Sequence, residues 1–198
     1  MKRYITLLSL GLCLAVPMLS QASDTKTVMH VTNVHNGQYD AALDAITDTK
    51  FYGPYQFRVL KDAIETQGET KDIDGRAFRT SDGVFMHVKA KSIDNGSASL
   101  DKEIKQIVED RTIPEPTVKM VLPVKHDVIE VNNDGVRSLL AEFMYSWPLH
   151  NRTDMVLVTD YEDTRYYYNL QFYRDKLPEG IRIEQLRQMV MDAQFSYK

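Results

Sequence analysis

The chain has 198 residues, with 24 Lys plus Arg against 28 Asp plus Glu and a formal charge of −4. Apolar residues at 43% and charged residues at 26% give the composition of a folded domain and exclude global disorder. The acidic balance speaks against non-specific nucleic-acid binding, because no basic field is available to meet phosphates.

Residues 1–22 read as a removable signal peptide. Met1-Lys2-Arg3 is a positive n-region, Tyr4 to Val16 is an apolar run, and Pro17 breaks it. Ser20-Gln21-Ala22 then offers small residues for cleavage. The run is shorter than the roughly 20 apolar residues a bilayer needs, and no later segment approaches that length, so no membrane span is expected. Cys13 is the single cysteine, and Leu12 stands before it, where a lipoprotein signal needs a small residue. The mature chain, residues 23–198, therefore has no disulfide, no thiolate nucleophile and no cysteine metal site. An exported, disulfide-free chain fits a bacterial periplasm or secretion from a bacterium. Losing Lys2 and Arg3 moves the balance to 22 against 28, a charge of −6.

Val28 to Val34 alternates weakly as a first strand, ended by Asn36-Gly37. Tyr39, Ala42, Leu43 and Ile46 fall on one helical face. Phe57, Leu60 and Ile64 repeat that spacing, with Gly68 as a stop, so residues 23–79 read as an N-terminal helical addition. Residues 68–83 are polar and glycine-bearing, suited to a loop or irregular hairpin.

Val84 to Lys89 alternates as a strand. Ser99 suits the N-cap of a helix that carries Leu100, Ile104, Ile107 and Val108 on one face, with Asp101 and Lys105 paired on another. Pro114 and Pro116 end that helix. Val118, Met120, Leu122 and Val124 predict one strand and Val128 to Val131 a second, followed by an Asn132-Asn133-Asp134-Gly135 turn. Val136 to Tyr145 fits both helix and strand periods; its place after a hairpin turn favours strand. Met155 to Thr159 is a β-branched strand, Glu162-Asp163-Thr164 a turn, and Tyr166 to Tyr173 the returning strand. Ile183, Leu186, Val190 and Ala193 line a closing helix. The whole predicts one α+β domain, an antiparallel sheet flanked by helices.

This order resembles the PsbP-like and DcrB-like superfamily over roughly residues 80–198. The strand Val84–Lys89, the segment Ser99-Leu100-Asp101-Lys102-Glu103, the strands from Arg137 to Tyr173 and the closing Ala193-Gln194-Phe195-Ser196 carry the resemblance. It lacks the early aromatic strand and Pro-Trp segment of that group, and it closes on Phe-Ser where the group has Ser-Phe. The resemblance implies an accessory or binding role exerted through partners.

The chemistry-bearing residues are scattered. His30, His35, His87, His126 and His150 form neither H-E-x-x-H nor H-x-H, and no G-x-S-x-G elbow occurs. Asp72-Ile73-Asp74 begins like a calcium loop, but Arg76 takes the third ligand position. Asp160, Glu162 and Asp163 cluster at a turn, where solvation is the simpler reading. No catalytic residue, metal or cofactor is expected from these patterns. On the strand Tyr166–Tyr173, Tyr166, Tyr168, Leu170 and Phe172 share a face read as core, whereas Tyr167, Asn169, Gln171 and Tyr173 share the other. That second face reads either as a covered sheet surface or as a recognition surface. Tyr167, Tyr173 and the loop residue Trp147 are the candidate contacts to a protein partner. The expected function is an exported, periplasmic, non-catalytic binding or accessory protein. The alternatives are a small exported hydrolase acting on an envelope polymer and an effector-associated, immunity-type protein.

Overall fold

A computed structural model describes residues 28–32, 41–66, 75–113, 121–146 and 150–196. The expected signal peptide, Asp72–Asp74, His35, Trp147 and the first three residues of the strand expected over Val118–Val124 lie outside the described residues.

The chain begins with β1 (Val28–Thr32), the short α1 (Ala41–Ile46), and the hairpin of β2 (Thr47–Tyr52) and β3 (Tyr55–Leu60). Then come β4 (Ile64–Glu65), β5 (Arg76–Arg79), β6 (Phe85–Ser92) and the long α2 (Leu100–Thr112). Four strands follow: β7 (Lys125–Asn133), β8 (Val136–Ser146), β9 (Asn151–Tyr161) and β10 (Thr164–Tyr173). A 3-10 turn, α3 (Ile183–Met191) and β11 (Gln194–Phe195) close the chain. Among the described residues, one sheet runs β1-β7-β8-β9-β10-β6-β5-β4 and a smaller one runs β11-β3-β2. Every pairing is antiparallel except β1 with β7.

This is the expected α+β architecture, an antiparallel sheet flanked by helices. The β7–β8 turn is formed by Asp134 (φ 51°) and Gly135 (φ 82°), the positive-φ pair that a tight hairpin requires, and the Gly135 amide donates to Asn132 Oδ1 at 3.0 Å. Val136–Ser146 is strand, so turn chemistry decides a segment whose apolar pattern fits two periods.

Three expectations are corrected. The helix expected over Phe57–Ile64 is strand β3 followed by a turn and β4, and the described part of 23–79 is helical only at Ala41–Ile46. Tyr55, Phe57 and Val59 are all buried at period two; burial of Leu60 as well creates the false helical spacing. Val121–Val124 is irregular, and the strand begins at Lys125, with the Val124 amide bonded to the Met144 carbonyl at 2.7 Å. Lys105 pairs with Glu109 at 3.5 Å rather than with Asp101, which the sheet claims.

The large sheet separates two cores. On one face β3, α3 and β11 cover the apolar side chains of β5 to β10, with Tyr55, Phe57, Tyr168, Phe172 and Leu186 all fully buried. Asn133 joins these layers: its buried amide donates to the Met191 and Ala193 carbonyls at 2.5 and 2.9 Å, satisfying acceptors at the α3 terminus. On the opposite face α2 packs Leu100 and Ile104 onto Leu139, Ala141, Phe143, Val156, Val158 and Tyr167. Burying each of those two helix side chains contributes about 1.5–3 kcal/mol. Among the described residues no helix is long and apolar enough to cross a membrane.

Candidate functional site

Helix α2 is clasped at both ends to the sheet beneath it. Ser99 caps it, accepting from the Lys102 amide at 3.4 Å. Asp101 and Glu103 lie in its first turn and Arg111 in its last, the arrangement its dipole favours. Each of these charges also reaches a sheet residue of opposite sign. Arg137 of β8 donates two hydrogen bonds to Asp101, at 2.8 and 2.9 Å, and a third to Glu130 at 3.0 Å. Arg165 of β10, only 3% exposed, donates twice to Asp160, once to Glu103 and once to the Ala98 carbonyl. Arg111 reaches Asp154 of β9 at 3.3 Å, while Arg152 holds the same carboxylate at 2.5 and 2.6 Å.

The helix covers β8, β9 and the near end of β10, reaching β7 only at half-buried Val128. Along its open flank lies a groove of about 630 Å³ between α2, β6 and β10. Lys89 and Lys91 of β6 form one wall, and Ile107, Asp110 and Arg111 of α2 form the other. Val156, Tyr167 and Asn169 form the floor. Both lysines are exposed, and the Lys89 ammonium stands 5.1 Å from the centre of the Tyr167 ring. Beyond the groove the face continues as the half-buried residues Phe85, His87, Gln171 and Tyr173, brought into rows by the β6–β10 register. No described element lies across them.

The strand β10 divides its side chains as its alternation demands. Tyr166, Tyr168, Leu170 and Phe172 enter the larger core. The Tyr168 hydroxyl donates to the Arg58 carbonyl at 2.5 Å. The second face is covered at Tyr167 and half-buried from Asn169 to Tyr173. Tyr167, expected at a recognition surface, is 7% exposed beneath α2, and its hydroxyl donates to Glu103 at 2.7 Å. Burial, reinforced by the Glu103 carboxylate, pushes its phenol up to about 12. Tyr167 is thus a floor residue of the groove and part of the α2 clasp. Tyr173 is half-buried at the far end, its ring 5.4 Å from that of His150 and under the Lys176 ammonium at 5.3 Å. Trp147 lies outside the described residues.

The histidines are dispersed. His87 stacks on Phe85 with centres 6.3 Å apart, His126 lies 6.5 Å from Phe143, and His150 bonds Asp175 at 3.0 Å. That bond, with one from the Asn151 amide, holds the Asp175 carboxyl below its usual range. Asp160 is engaged by Arg165, leaving Glu162 and Asp163 exposed at the β9–β10 turn. Among the described residues no three His, Cys, Asp or Glu side chains converge as metal ligands.

Sequence reasoning missed the groove. The polar alternation of Lys89 and Lys91 on β6 was the available signal. The path of α2, which makes that strand face a wall, depends on contacts remote in sequence.

No family profile matches the chain, and no curated protein matches it. Among solved structures, the cyanobacterial PsbP protein (CyanoP) of Synechocystis sp. PCC 6803 is similar, with a TM-score of 0.47 and 13% identity. That match covers 66% of this chain and 82% of the other. A protein of unknown function from Pseudomonas aeruginosa, PA94, is similar with a TM-score of 0.35 and 9% identity, over 67% of this chain and 86% of that one.

Proposed function

We propose that this is an exported, periplasmic accessory protein that acts without catalysis, by holding a protein partner against the uncovered part of its large sheet. The observation that carries the reading is the incomplete cover on that sheet. Helix α2 covers the apolar face of β8 and β9, whereas Phe85, His87, Gln171 and Tyr173 on β6 and β10 stay half-buried with no described element across them. Aromatic rings beside amides present apolar area at low entropic cost together with hydrogen-bonding groups, the composition that protein contacts favour. The signal-like segment ending at Ala22 and the cysteine-free mature chain support export to a bacterial envelope. The element order that resembles the PsbP-like and DcrB-like superfamily supports an accessory role by analogy.

Two measurements test this. Intact-mass analysis of the soluble exported protein is expected to give a chain beginning near Ser23; retention of residues 1–22 would contradict export with cleavage. A crosslinked pull-down from envelope extract is expected to recover one stoichiometric protein with the wild type and markedly less with Gln171→Ala/Tyr173→Ala. Equal recovery by both would remove the partner from this face, and turnover of an envelope polymer with no partner would replace the reading by a hydrolase.

A further inference from the structure

We infer that the groove between α2 and β6–β10 is a binding site for a small organic monocarboxylate with an apolar or aromatic body, a site separate from the partner surface. Its volume, about 630 Å³, lies in the range of pockets that enclose small molecules. The lining divides by chemistry. Ile107 with the edges of Val156 and Tyr167 supplies an apolar side and floor, and Lys91, Arg111 and Lys89, which rests over the Tyr167 ring, supply positive charge from two walls.

The balance of charge favours an anion. Glu103 is already engaged by Arg165 and by the Tyr167 hydroxyl, and Asp110 accepts from the Gln106 amide at 2.6 Å. Asp154, below Arg111, is held at short range by Arg152, so two guanidinium groups share one carboxylate. Lys89 and Lys91 make no ion pair with a carboxylate within 4.0 Å among the described residues. They stand two residues apart on one face of β6, both directed into the space the ligand would fill.

The same geometry selects one negative charge over two. The wall from α2 carries two carboxylates, Glu103 in its first turn and Asp110 in its last turns, where carbonyl dipoles add partial negative charge. The lining sets three cations, Lys89, Lys91 and Arg111, against two carboxylates, Glu103 and Asp110, so one negative charge on the ligand is compensated and a phosphate dianion leaves a surplus.

The test is calorimetric titration of the mature protein with hydrocinnamate and decanoate, against the neutral hydrocinnamide and the dianion phenyl phosphate. At least one of the two acids is expected to bind, about tenfold or more tightly than the amide and the phosphate. Lys89→Ala/Lys91→Ala is expected to lose about tenfold or more in that affinity with an unchanged melting temperature, and Lys89→Arg/Lys91→Arg to keep it within about threefold. Binding of neither acid, equal binding of acid and amide, tighter binding of the phosphate, or undiminished affinity in the double-alanine variant would each overturn the assignment. The envelope pull-down is read independently, so the fate of one proposal does not decide the other.

Discussion

Tyr167 shows how one residue serves the sheet, the helix and the groove together. Its ring is packed under α2 and its proton is given to Glu103, so ionising it would place a second negative charge beside a carboxylate in a poorly hydrated site. The phenol is raised to about 12 in the fold against an ordinary 10. A group whose folded value is raised contributes stability that is complete below the unfolded value and is lost as the pH climbs through the folded one. The protein is therefore expected to lose stability between about pH 10 and pH 12. Phenolate absorbance of the wild type compared with Tyr167→Phe checks this: the difference is expected to titrate near the upper limit, and titration near pH 10 would show Tyr167 open to water. Its neighbours separate by alternation. Phe172→Ala removes a fully buried ring and is expected to cost about 3–5 kcal/mol, whereas Tyr173→Ala, on the half-exposed face, is expected to cost less than half of that. Denaturant midpoints measure both, and equal costs would mean that the second face is covered throughout. That division was legible from sequence because period two needs no tertiary information. The burial of Tyr167 was not, since it depends on a helix more than sixty residues earlier in the chain.

At the scale of elements, α2 is held to the sheet by charge as well as by its apolar stripe. Arg165 is the pivotal contact: it is buried, it bridges Asp160 and Glu103, and it donates to the Ala98 carbonyl just before the helix. Removing a buried partner leaves uncompensated charge, which typically costs about 3–5 kcal/mol. Arg165→Ala is expected to destabilise by that order and to speed amide exchange in α2 more than in α3, which belongs to the opposite core. Uniform acceleration across both helices would mean that α2 has no separate anchorage. The helix itself was legible: Ser99, the first-turn acids and the Leu100–Ile104 stripe are local signals. So were β9 and β10, whose turns and apolar alternation agree, whereas β8 fits both periods and only the turn before it favours strand. The β2–β3 hairpin was not. Phe57 and Leu60 are both buried because that strand lies between α3 and β10, and a strand buried at successive positions imitates helical spacing.

For the whole molecule, the large sheet is sealed on one face and only partly roofed on the other, and both functional proposals arise from that asymmetry. The small sheet and α3 close one core, while α2 leaves β6 and the far end of β10 open. The sequence could place an antiparallel sheet flanked by helices; it could not say how far each helix extends over it, because coverage follows from strand order, and β6 joins β10 from a distant part of the chain. The central claim is that the uncovered, half-buried rows of β6 and β10 contact the partner. Its most direct test is photo-crosslinking in the intact envelope, with the crosslinking residue placed at Gln171 on the open face or at Thr49, exposed on β2 of the small sheet. The account expects one discrete protein adduct from Gln171 and none from Thr49. An adduct from Thr49 alone, equal adducts from both, or none from either would contradict it.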